Sequence, residues 1–283
     1  MNKLIALIFS GLLLLPLSVF ADQLVGQVLI AKGVVTANGI QPAPRTLAKG
    51  SNVFLGETVS TASESFVVLK MADNSKLSLR PKSQVTLEKF SQEAGKEEAL
   101  FDLLKGGLRA LSGDIGKKRP EQYRVQTSIA TIGIRGTDFL VRLCLSDCDQ
   151  EETGFGAMPR QSAGAADGSS PTKRKELKRL GPDNNTASRS LIECQPVTKI
   201  EEGLYVAVFE GRIWLQKDNE VIEMEAVEAV FAQQNQIICM GEIPNFIMQD
   251  NFLSEDPGKT ITLFNILKNI EDEEQQICEI PEA

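Results

Sequence analysis

Apolar residues recur along most of this chain in short runs separated by turn-forming residues. "LVGQVLIAKGVVTANG" places apolar runs on either side of Lys32-Gly33. "FVVLKMADNSKLSLRPKSQVTLEKF" divides into three strand-length pieces, with corners at Asp73-Asn74 and at Arg80-Pro81-Lys82-Ser83. Asn and Asp tolerate left-handed backbone and suit such corners. Val85, Leu87 and Lys89 alternate with Thr86 and Glu88, the period of a half-buried strand. Pieces of this kind return about every ten residues, which predicts an all-β fold, a short-stranded β-sandwich or a solenoid-like domain.

Three segments share a finer pattern. "VLIAKGVVTA", "FDLLKGGLRAL" and "VAVFEGRIWLQ" each join two apolar strands through a charged residue and a glycine, at Gly33, Gly106 and Gly211. Glycine in this setting predicts a tight reversal or a bulge. The spacing between copies is irregular, which argues against a strict solenoid repeat.

The pattern stops at 146–199. This stretch is rich in Gly, Ser, Ala and Pro, opens acidic ("DCDQEE") and turns basic at 173–179 ("KRKELKR"). With no sustained apolar period, it reads as a long disordered insertion, a solvated linker whose basic cluster offers a grip for an anion. Strand character resumes at "GLYVAVFEGRIWLQ" and "EVIEMEAVEAVFAQ", making 200–235 a continuation of the domain begun at 22–145. Residues 236–283 read as a C-terminal extension with a short helix near 260–270 and an acidic tail.

Charge and composition narrow the function classes. A net charge of −8 and a pI of about 4.9 disfavour nucleic acid, whose backbone needs a basic surface. The chain has no histidine, which excludes Ser-His-Asp and Cys-His chemistry and His-ligated metals. One Trp and two Tyr would supply only a thin stacking platform for sugars. Residues 1–21 combine Lys3, an apolar core from Leu4 to Leu15, Pro16 and the small residues before Asp22, the form of a secretory signal peptide. The expectation is an exported, soluble periplasmic protein with no stable membrane span after cleavage. In that compartment the cysteines are expected to pair. Cys144 and Cys148 are close enough for a local loop, Cys194 and Cys239 flank the second half, and Cys278 makes the total odd. No CxxC pair points to a metal, and no cofactor is expected.

The densest motif is "TIGIRGTDF" at 131–139. In "YRVQTSIATIGIRGTDFLVRL" the apolar face changes phase twice. Val125, Thr127 and Ile129 lie at odd positions, Ile132 and Ile134 at even ones, and Phe139, Val141 and Leu143 at odd ones again. A phase change in a strand means an irregularity, and Gly136 marks the second as a bulge or bend. The spacing matches neither G-x-G-x-x-G nor the P-loop, so it is no phosphate cradle. Asp138 has no evident acid–base partner. The structural reading has Arg135 turn inward and, with Gly136, hold the joint, a guanidinium being able to tie strand-end carbonyls or a carboxylate. On that reading, Arg135→Ala loses folding or secretion yield.

At these residues the chain resembles FecR-like domains, named for the ferric citrate signalling regulator. Thr127, Arg135, Gly136, Thr137, Phe139 and Val141 match the family signature. Upstream, "GSNVFLGETVSTASESFVVLKMADNSKLSLRPKSQVTL" resembles the segment in which a Gly-Asp turn precedes a strand and an Asp-Gly-Ser turn follows; here Glu57 stands after Gly56, and Asn74 takes the middle Gly. The resemblance covers about Leu24 to Leu143. It implies an all-β periplasmic domain without known catalysis, in the namesake regulators one that passes a transporter's signal to a sigma factor. Only Met1, Asn2 and Lys3 precede the apolar segment here, so the expectation is a free-standing, non-enzymatic module that binds or scaffolds an envelope protein or glycan. Two alternatives stand beside it: a periplasmic signalling accessory of a transporter or sigma-factor system, and a β-rich polysaccharide-active enzyme using carboxylates. The oligomeric state is left open.

Overall fold

The computed structural model describes residues 23–39, 43–145, 176–180, 191–195, 200–240 and 243. The signal peptide expected at 1–21, most of the insertion, Cys148, Cys278, and the helix and acidic tail expected beyond 259 lie outside the described residues. Among the described residues, no helix is long and apolar enough to cross a membrane.

Strands β1 (Leu24–Lys32), β2 (Val35–Asn38), β3 (Arg45–Thr46), β4 (Asn52–Phe54), β5 (Thr58–Thr61), β6 (Phe66–Met71), β7 (Lys76–Leu79), β8 (Gln84–Ser91) and β9 (Glu98–Leu111) come first. Helix α1 (Asp114–Lys118) and a 3-10 turn (Pro120–Gln122) lead into β10 (Tyr123–Gln126) and β11 (Thr131–Cys144). Then follow β12 (Glu176–Leu180), β13 (Leu191–Glu193), β14 (Gly203–Lys217), β15 (Glu220–Glu225), β16 (Ala229–Gln233) and β17 (Gln236–Cys239).

Hydrogen bonding sorts these strands into two layers that share their longest members. One layer runs β3-β2-β5-β8, the first half of β9, β10, the first half of β11, the second half of β14, then β15-β12-β13. The other runs β4-β1-β6-β7, the second halves of β9 and β11, the first half of β14, then β16-β17. Apart from the parallel β9–β10 pair, the ladders between these strands are antiparallel. This is a sandwich whose corners are made by strands that change layer, not a solenoid. One continuous core joins the layers. Val59, Leu87, Phe101, Val125, Ile132 and Leu215 from the first pack with Val28, Leu69, Leu79, Leu108, Phe139 and Val206 from the second.

The repeated strand–glycine–strand pattern marks the layer crossings. The chain leaves β1 for β2 at Gly33, β9 crosses at Gly106 and β14 at Gly211, each with left-handed φ (71°, 76° and 83°). β11 crosses at Gly136, φ 63°. Only glycine adopts this backbone freely, and the bend turns the strand from one layer into the other.

Several sequence expectations need correction. Within the 146–199 stretch expected to be disordered, Glu176–Leu180 is a strand that pairs with β15 and with β13, and Leu177 enters the main core. A strand this short carries too little periodicity to be read without its neighbours. The β fold also runs past 235, through β17. Cys239 is disulfide-bonded to Cys194 with Cα atoms 4.4 Å apart, joining the last strands of the two layers. Cys144 is also disulfide-bonded. In β8 the register shifts between Leu87 and Lys89, so Lys89 faces solvent and Phe90 takes the inward place. Helix α1, absent from the sequence reading, is seated on the Asp73 corner: Asp114 N donates to the Asp73 carbonyl at 2.7 Å, and a Cβ on Gly113 would overlap that same oxygen. Asp73 itself is buried and accepts from the backbone N–H and hydroxyl of Ser75. Burial, and then the Asp73 charge, push the Tyr123 phenol far above the usual tyrosine range.

Candidate functional site

The motif region is a hairpin followed by a bulged corner. The first phase change is the β10–β11 turn. There the Thr127 hydroxyl donates to the Ala130 carbonyl at 2.9 Å and accepts from the N–H groups of Ile129 and Ala130 at 3.1 Å. Three bonds from one buried hydroxyl close the turn, so Thr127→Val is expected to cost about 1–2 kcal/mol, read as a lower urea midpoint at unchanged m-value.

Past the turn, Gly133 lies opposite Trp214, and the indole covers it so closely that a Cβ there would overlap the ring. The chain's single tryptophan is thus used in packing across its own sheet. Both tyrosines, Tyr123 and Tyr205, are fully buried.

The second phase change is the bulge. β11–β14 register passes from Arg135↔Arg212 directly to Asp138↔Glu210, with Gly136 and Thr137 set against Gly211. Thr137 locks it: its hydroxyl donates to the Arg212 carbonyl at 2.8 Å and accepts from Arg135 N at 3.1 Å. Its backbone exchanges bonds with Ser112, N to Oγ at 2.8 Å and carbonyl from N at 3.0 Å. The extra residue returns Phe139 and Val141 to the core, both at 0% exposure.

Asp138 has a partner after all. Arg109, 29 residues upstream, grips it through Nε at 2.8 Å and Nη2 at 2.6 Å. Both side chains are buried or nearly so, and the Phe209 ring lies over the guanidinium at 4.2 Å. Arg109 therefore does what the sequence reading assigned to Arg135. The available signal was a lone arginine inside the apolar run "LLKGGLRAL". A second carboxylate, Glu57, is tied similarly: it takes a bidentate grip from Arg45 and accepts Phe54 N at 2.9 Å.

Arg135 itself does not turn inward. The one extra residue at the bulge reverses the facing of the strand just after it, and Arg135 is left exposed on the outer side of the corner. Its backbone N–H bonds Thr137, but its side chain meets no described partner. Arg135→Ala is accordingly expected to change the unfolding free energy by less than about 0.5 kcal/mol, a thermal melt superimposable on wild type being the check. This replaces the loss of folding expected from sequence.

Around Arg135 the corner opens into a shallow depression lined by Arg135, Gly211, Arg212, Glu225 and Ala226. Arg212 is held by Glu223 at 3.1 Å and Glu225 at 3.0 Å. The adjoining turn from β15 to β16 carries Val227, 56% exposed with φ 68°. Its N–H donates to the Val208 carbonyl at 2.8 Å. A β-branched residue in left-handed backbone is strained. Asp102 lies away from this depression, on the β8–β9 ladder. Partial burial, then the nearby Glu88 charge, hold its carboxyl above the usual range. Among the described residues, no cluster of His, Cys, Asp or Glu is placed to hold a metal.

Comparison with known proteins adds a family and a loose structural likeness. The model of the family described as FecR protein matches residues 57–151, beginning later than the resemblance read from sequence and including the whole "TIGIRGTDF" motif. Two crystal structures, at 2.50 and 1.65 Å resolution, of a candidate anti-sigma factor from Parabacteroides distasonis ATCC 8503 each overlap with a TM-score of 0.40 and 10% identity. The overlap covers 67% of this chain and 62% of that one. No curated protein matches the sequence.

Proposed function

We propose, from the premise that this chain carries a FecR domain at residues 57–151, that it is an exported, non-enzymatic module that binds a protein in an envelope signalling system. The family match is the observation that carries the reading. The chemistry of the corner supports it. The buried carboxylates Asp138, Glu57 and Asp73 each accept hydrogen bonds that hold a corner of the sandwich, a use that keeps them from acid–base work. A protein is favoured over a glycan as partner because both tyrosines are buried and the half-buried Trp214 packs its indole on Gly133, leaving little aromatic surface for sugars among these rings.

The test is deletion of the coding region followed by transcript profiling and complementation with the full chain. A restricted set of transcripts should change and be restored. No change would overturn the signalling reading. Turnover of any member of an envelope-glycan panel by the purified chain would overturn the non-enzymatic one.

A further inference from the structure

We infer that the depression at the β11–β14 corner is the docking point for an acidic peptide segment of the partner protein, with Arg135 as its anchor. This rests on the protein-binding reading above and names the place and the chemistry.

Four observations converge there. Arg135 is exposed, and its guanidinium has no described partner, whereas Arg45, Arg109, Arg119 and Arg212 each hold a carboxylate. Arg135 lies directly opposite Arg212, a like-charge cross-strand pair that does nothing for the sheet by itself. Gly211 lines the depression, and the adjoining Gly136 is exposed with nothing within 4 Å of where a Cβ would stand, so a ligand can approach the backbone there closely. At the rim, Val227 is exposed in a strained conformation, the kind of outlier that collects at binding sites.

The charge balance selects the ligand. Glu223 and Glu225 both pair with Arg212, and with Arg135 the four side chains sum to zero charge, so among the described residues the depression offers one unpaired guanidinium and no basic patch. One planar fork suits one carboxylate, held by two parallel N–H···O bonds. A polyanion would also meet the field of a chain with net charge −8. The apolar Val227 beside the site fits an aliphatic side chain next to the acidic one.

The experiment measures fluorescence anisotropy of short labelled peptides carrying Asp or Glu beside Leu or Val, each paired with its Asn or Gln twin, against the full chain. Acidic members should bind and their amide twins should not. Arg135→Ala should weaken binding about tenfold or more, and Arg135→Lys should fall between, since an ammonium keeps the charge and loses the fork. Lys89→Ala, on an exposed strand position elsewhere, should leave binding unchanged. The inference is overturned if no acidic peptide binds, if amide twins bind equally, if Arg135→Ala binds like wild type, or if inorganic phosphate competes better than acetate. Complementation of the deletion strain by the Arg135→Ala chain separates the two levels. Full rescue removes this docking point and leaves the signalling reading intact, whereas absent transcript changes in the deletion itself remove the reading beneath it.

Discussion

Replacing Asp138 with alanine is expected to lower the unfolding free energy by about 3–5 kcal/mol, seen as a large fall in urea midpoint. The carboxylate is 5% exposed and its partner Arg109 is 12% exposed, so the cut leaves a guanidinium enclosed with no counter-charge. Phe209 lies over that guanidinium and would screen it from water. The loss comes from the orphaned charge and not from the net worth of the pair. The double replacement Arg109→Met with Asp138→Leu should therefore recover most of the stability, because removing both charges removes the desolvation cost along with the attraction. A double variant no more stable than Asp138→Ala would refute that account. Glu57 and Arg45 form a parallel case, but Arg45 is 25% exposed and water can replace its partner in part, so Glu57→Ala should cost less.

Gly211→Ala is expected to cost about 3 kcal/mol or more, while Gly136→Ala, one strand away, costs about 1–2. Both glycines have left-handed backbone, φ 83° and 63°. Both substitutions therefore incur the side-chain penalty of that conformation. They differ in what the new Cβ meets. At Gly136 there is nothing within 4 Å, whereas at Gly211 the Cβ would overlap the carbonyl oxygen of Gly136. That atom is backbone, fixed by the Thr137 bonds on either side of the bulge, and cannot move aside as a flexible side chain would. Matched urea titrations of the two variants decide it, and equal losses would show that the clash relaxes at no cost.

Much of the architecture was legible along the chain. Alternation and turn residues located the strands from 66 to 91 with their corners. The glycine pattern picked out Gly33, Gly106 and Gly211, which are the layer crossings, though the chain alone could not distinguish a reversal from a crossing. The two phase changes in the motif corresponded to real features, the Thr127 turn and the Gly136 bulge. The site was less legible. The pattern places Arg135 inside and gives Arg109 no special part, because a strand's facing depends on how many residues a bulge inserts. The outer face of β11 was also hidden: Leu140 and Cys144 are buried in a second cluster with Tyr205, Ala207 and Phe231, so both faces of that strand are covered. Alternation cannot signal a strand that is apolar on both sides.

By itself the sequence determined the all-β class, the positions where the backbone must bend, and the absence of histidine chemistry. Those are local properties, set by residue type, by period and by the conformations glycine permits. The tertiary structure alone decided which carboxylate meets which arginine, which glycine bears a packing constraint as well as a conformational one, and which motif residue is left facing solvent. Such outcomes depend on strands distant in sequence being laid side by side. Asp138 finds Arg109 from 29 residues away, and Gly211 meets Gly136 only because β14 lies against β11.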